Sequence, residues 1–75
     1  MIQHLLKEFR QANVLLQKDV ADKLGISREH YAQIESGKFE PSFKLLSAIS
    51  KRLGVDITIN MSQGGYTLLY KIVKN

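Results

Sequence analysis

The chain has 75 residues and no cysteine, with eleven Lys and Arg against seven Asp and Glu for a formal net charge of +4. Disulfides and thiolate metal sites are excluded, and His4 and His30 lack the companions an imidazole site needs, so a chain this small is expected to gain support from association with another copy. The missing thiols fit a cytoplasmic setting. The mixed polarity of Met1–Arg10 does not fit a secretory leader, and no apolar run nears the roughly 18 residues of a membrane span.

Ile2, Leu5, Leu6 and Phe9 recur at helical spacing, so residues 2–12 read as an amphipathic helix ending near Asn13, which tolerates left-handed backbone. A second helix opens at Gln17 and places Val20, Ala21 and Leu24 on one face. Its first residue follows Leu16, so the usual side-chain N-cap is missing, a loss of about 1 kcal/mol; Leu15 and Leu16 are expected to anchor this loop by packing. Gly25 can take the left-handed position that ends the helix. Ser27 then supplies a cap oxygen for a third helix, with Glu29 opposing the positive end of its dipole.

In that third helix Tyr31 and Ile34 point inward, leaving Arg28, Glu29, His30, Ala32 and Gln33 outside, and Gly37 ends it. Glu40-Pro41-Ser42 opens a fourth helix whose apolar face is Phe43, Leu46, Ile49 and Leu53, up to Gly54. The expected core is Leu5, Phe9, Val20, Ala21, Leu24, Ile26, Tyr31, Ile34, Phe43, Leu46, Ile49, Leu53 and Val55.

After Gly54, where a fifth helical turn fits residues 54–56, the period changes. Ile57–Met61 alternates as a half-buried strand, Ser62–Gly65 reads as a turn, and Tyr66–Val73 as a second strand. Tyr66, Leu68, Tyr70 and Ile72 share one of its faces, Leu69 and Val73 the other. A lone two-stranded hairpin is marginal in water, so it is expected to pair with the same hairpin of a second copy. The chain divides into a domain over residues 1–56 and a β-hairpin dimerisation extension over residues 57–75. The fold class is mainly α, with four to five helices and a C-terminal two-stranded β-hairpin.

A helix with a narrow buried face and an outer face of Arg, Glu and Gln suits the DNA major groove, where Arg pairs with guanine, Gln with adenine, and Glu accepts from cytosine. The ordered set Gln17, Ala21, Leu24-Gly25-Ile26-Ser27, Ile34-Glu35, Gly37-Lys38 and Pro41-Ser42 resembles the helix-turn-helix of the XRE-type phage repressor and Cro family, over about residues 2–55. Two positions depart from that pattern: Val14 stands where the family commonly has Gly, and Leu16 where it has Ser or Thr.

The resemblance implies a sequence-specific DNA-binding regulator. Gln17 would meet the phosphate backbone, and Arg28, Glu29 and Gln33 the base edges, with Ser27 and His30 beside them. Backbone N–H groups of the Ser36–Phe39 loop would clamp a phosphate, to which Lys38 adds charge, and an Arg10–Glu35 pair would orient the third helix. A P-loop, a G-x-S-x-G elbow and a His–carboxylate cluster are all missing, so no enzyme and no cofactor is expected. The partner is a roughly palindromic double-stranded operator, bound by a homodimer. A small chain with a β tail also resembles the dimeric antitoxins of HipA-type kinase toxin modules, which would add a kinase-like toxin as partner. The alternatives are a free-standing phage or restriction–modification controller, and a protein-interaction module that no longer binds DNA.

Overall fold

The protein is described from a computed structural model, which covers the backbone of residues 2–62 and 64–72 and the side chains of residues 2–58, 64 and 65. Four helices, α1 (Ile2–Ala12), α2 (Gln17–Leu24), α3 (Arg28–Glu35) and α4 (Phe43–Leu53), precede two strands, β1 (Val55–Ser62) and β2 (Gly65–Ile72).

α1, α2 and α3 close in the same way. After α1, Val14 N–H donates to Gln11 O and Leu15 N–H to Arg10 O. After α2, Gly25 donates to Asp22 O and Ile26 to Ala21 O; after α3, Gly37 donates to Ile34 O and Lys38 to Gln33 O. Each is a Schellman closure, and each requires one left-handed residue. Gly25 and Gly37 supply it at φ 72° and 83°, but in the first turn it is Val14, at φ 52°. Asn13, the residue the sequence marks for that conformation, does not take it. Asn13 instead turns its side chain back, Nδ2 donating to Phe9 O at 2.8 Å, and the left-handed conformation falls on a β-branched residue.

The N-termini are fixed by side chains. Ser27 Oγ accepts from His30 N–H at 3.0 Å and Ser42 Oγ from Leu45 N–H at 3.1 Å. Leu16 offers no cap oxygen, yet α2 is not left without help: Asp19 Oδ2 reaches back to accept from Leu16 N–H at 2.8 Å. Of the two leucines expected to anchor this loop, Leu15 packs on the core and Leu16 is 70% exposed.

The core joins α1 (Ile2, Leu5, Leu6), α2 (Val20, Ala21, Leu24), α3 (Tyr31, Ile34) and α4 (Leu46, Ile49, Leu53), with Val55 beneath them. Phe9 and Ile26 are only partly buried against it, while Ile2 and Leu6, left out of the expected core, are buried. Phe43 is a correction: it is 53% exposed. Spacing of three residues drifts about 60° per step on a helix of 100° per residue, so Phe43 lies roughly 90° round from the centre of the Leu46, Ile49 and Leu53 stripe.

The fifth turn is also corrected, because the chain enters β1 directly after the left-handed Gly54, and Ser50 Oγ donates to Val55 O at 2.8 Å to hold that exit. The strand thus starts two residues before the expected Ile57. β1 and β2 are antiparallel, with Val55 opposite Ile72, Ile57 opposite Tyr70 and Ile59 opposite Leu68, so these positions share one sheet face. Asp56, Thr58, Leu69 and Lys71 fall on the other. β1 lies against α4 and β2 against α1. Val73, expected in the second strand, is outside the described residues.

Candidate nucleic-acid interface

On α3, Tyr31 and Ile34 are 0% and 1% exposed and Glu35 is buried with them, while Arg28, Glu29 and His30 are exposed and Gln33 is partly covered. At 100° per residue, Glu29, Gln33 and the following Ser36 lie opposite that buried stripe, with Arg28 on one flank and His30 on the other. The flanks differ in their neighbours. His30 faces a shallow groove that it shares with Ile26, Lys44, Leu45 and Arg52. Arg28 lies two turns before Glu35 on the same side.

Glu35 is the anchor of that side. Arg10 Nη2 donates to Glu35 Oε1 at 2.8 Å and Arg10 Nε to Oε2 at 3.0 Å, a two-pronged bond that ties α1 to α3. Arg10 also donates to Leu15 O at 3.2 Å, so one guanidinium holds both α3 and the turn before α2. Burial on its own would raise the Glu35 carboxyl, but the bonds from Arg10, aided by the nearby Tyr31 hydroxyl and Gln17 amide, hold it below its ordinary value. The Arg10 guanidinium is pushed up in turn by its bond to Glu35. Burial pushes the Tyr31 phenol up; its hydroxyl lies in this cluster without a hydrogen-bond partner of good geometry among the described residues. The pair expected between Arg10 and Glu35 is therefore present.

Gln17 is partly buried in the first turn of α2, at the positive end of its dipole and beside this cluster. Ser27 is exposed, with its oxygen engaged as the α3 cap. Ser36 Oγ donates to Gln33 O at 3.0 Å, and Lys38 is exposed beyond it. The expected main-chain clamp does not survive. The N–H groups of Ser36, Gly37, Lys38 and Phe39 donate to Ala32 O, Ile34 O, Gln33 O and again Gln33 O, so this loop has spent its amides on closing α3. Towards solvent it presents the Lys38 ammonium and Phe39, which is 50% exposed. The exposure of Phe39 is not marked in the sequence; the engagement of two of these amides is, since the Gly37-Lys38 pair signals a Schellman turn, which consumes two such donors.

Two helices joined by the three-residue turn Gly25-Ile26-Ser27, the second tied to α1 by a partly buried ion pair, form a helix-turn-helix. A profile of the helix-turn-helix family matches residues 6–60. The chain belongs to this helix-turn-helix family. It is 48% identical over 52 residues to an uncharacterized HTH-type transcriptional regulator of Methanocaldococcus jannaschii, covering 69% of this chain and 79% of that protein. It is 33% identical over 69 residues to the ImmF control region 10 kDa protein of Bacillus phage phi105, covering 83% and 77%. To the immunity repressor protein of the same phage it is 32% identical over 53 residues, or 71% of this chain but only 37% of that longer protein. It also spans about half, 49%, of a Bacillus subtilis HTH-type regulator to which it is 42% identical. No solved structure matches the chain. The helix-turn-helix protein is thus a regulator of transcription of the XRE type. Among its described residues no helix is long and apolar enough to cross a membrane, and no group of three or more His, Asp or Glu is placed to hold a metal.

Proposed function

We propose that this helix-turn-helix protein is a sequence-specific repressor that binds a roughly palindromic operator as a two-fold dimer in the cytoplasm. In this reading Glu29 and Gln33 face the floor of the major groove and Arg28 reaches a base from the flank. Gln17 and Lys38 meet phosphates on either side, with Ser27 and His30 at the margins. The observation that carries it is the anchored outward face of α3, whose buried side is fixed by Tyr31, Ile34 and the Arg10–Glu35 pair. Repression, not activation, follows the phage relatives, one named an immunity repressor.

The dimer is proposed to form through residues 57–75. The sheet has two strands, so each has one edge without a strand neighbour among the described residues, and open edges template pairing with another chain. That same tail supports the antitoxin reading, in which a kinase-like toxin would bind the dimer. The phage relatives favour the free-standing controller, and we rank it first.

The test is a binding comparison of three variants on a duplex selected by the wild type. Arg28→Ala and Gln33→Ala should each cost about 1–3 kcal/mol and relax preference at one base pair. Gln17→Ala should weaken binding to all sequences alike. Unchanged base preference in both α3 variants would remove α3 as the reader and leave the protein-interaction module as the better account.

A further inference from the structure

We propose that the groove between the helix-turn-helix and α4 binds a small organic anion with an apolar body, and that its occupant opposes DNA binding; the second half rests on the DNA-binding reading above. α4 turns Leu46, Ile49 and Leu53 into the core. On its flank Lys44, Ala48 and Arg52 follow at four-residue steps, so they stand one turn apart along one face, with Leu45 beside them. That face meets Leu24, Gly25 and Ile26 across the groove, and His30 of α3 lines it with them. The groove has a volume of about 340 Å³, at the small end of the range for a small-molecule site.

The lining sets the chemistry of the occupant. Its apolar part is Leu24, Ile26, Leu45 and Ala48, and its polar part is three basic side chains and the Ser42 hydroxyl, with no carboxylate. The Ser42 oxygen is engaged as the α4 cap. The His30 and Lys44 side chains are exposed and make no ion pair or hydrogen bond among the described residues. Arg52 is held in place: its Nη1 donates to Lys23 O at 3.2 Å and lies 3.4 Å from where a Cβ on Gly25 would stand. That bond uses one of five guanidinium donors and leaves the others for an anion. An inorganic ion would answer the cations and leave four apolar side chains wet. A neutral hydrocarbon would do the reverse. A chain or ring that ends in a carboxylate answers both. Because His30 belongs to α3, negative charge held here offsets positive charge on the flank of that helix and weakens its attraction for phosphate.

The experiment follows backbone amide NMR shifts of the 75-residue chain during titration with octanoate, octanol and acetate. Octanoate should give saturable shifts centred on Gly25, Ile26, His30, Leu45 and Ala48, and acetate should bind about tenfold or more weakly for want of a chain to bury. Lys44→Glu should weaken octanoate about threefold or more and leave octanol unchanged. Ala48→Met, which fills the floor, should weaken both; circular dichroism checks its fold, and if it does not fold, the exposed Lys44→Glu decides. Shifts that do not saturate, or that centre elsewhere, overturn the proposal. So does wild-type octanoate affinity in Lys44→Glu. Absence of octanoate binding, together with a salt slope of duplex binding lowered by about 1 in Lys44→Ala, overturns it in favour of a phosphate strand in the groove. Saturating octanoate should weaken binding to the selected duplex about fivefold against acetate at equal ionic strength, and the duplex should weaken octanoate by the same factor. Unchanged duplex affinity overturns the second half of the proposal. A wild type that binds no duplex overturns the DNA-binding reading itself, and the octanoate titration then decides the first half alone.

Discussion

At the residue scale, three helices end through the same pair of backbone bonds, but the left-handed position is filled by Val14 in one and by glycine in the other two. A β-branched side chain in that conformation costs about 1–2 kcal/mol, and Val14, 91% exposed, gains little packing in return. Val14→Gly should raise unfolding free energy by about 1 kcal/mol after the chain-entropy penalty of glycine, and Val14→Asn by a similar amount, both read as a higher midpoint in urea. No gain in either variant would mean that the turn relaxes without strain. The Arg10–Glu35 pair makes the second residue-scale prediction. Its guanidinium and carboxylate are 19% and 6% exposed, so Arg10→Met, which strands the carboxylate, should cost about 2–3 kcal/mol, and adding Glu35→Met should recover part of it. The folded carboxyl lies below its ordinary 4.5. Its contribution is therefore complete above that value and is lost as pH falls through the lower folded value. The stability gap between wild type and Glu35→Gln should thus be constant near neutrality and shrink below about pH 4.5. A gap that persists undiminished into strong acid would remove the ion pair as its cause.

At the scale of elements, helix boundaries were legible because their causes are local: Gly25 and Gly37 for left-handed exits, Ser27 and Ser42 for cap oxygens. The outward set on α3 was legible for the same reason, since Tyr31 and Ile34 mark the opposite side. Phe43 was not, because apolar spacing gives the period of α4 but not where the centre of its stripe falls against its neighbours. Of the Ser36–Phe39 amides, Gly37 announces the two donors of a Schellman turn, but nothing local announces the further bond from Phe39 N–H to Gln33 O. The start of β1 was hidden in Val55 and Asp56, which fit a helical exit until Val55 is seen opposite Ile72. One element-scale prediction follows from the hairpin lying on α1 and α4. The 75-residue chain should sediment as a dimer at micromolar concentration. A chain ending at Asp56 should stay helical, melt at lower temperature and sediment as a monomer. A monomeric 75-residue chain, or a truncated dimer of equal strength, would place the interface elsewhere.

On the scale of the whole molecule, α3 is held by the Arg10–Glu35 ion pair in a chain of net charge +4. A single α3 reads only a few base pairs; two, related by a two-fold axis, give a site long enough to be specific. The proposed dimer gives the hairpin the task of fixing the distance between them, and the proposed phosphate contacts of Gln17 and Lys38 on each copy the task of fixing their register. The most direct measurement is selection of bound duplexes from a random DNA pool by the 75-residue chain, followed by footprinting of the enriched sequence. The account predicts two inverted half-sites whose centres lie about 34 Å apart, one duplex turn, with protection on one face. No enrichment over the starting pool, or enrichment of a single half-site with no inverted partner, would contradict it.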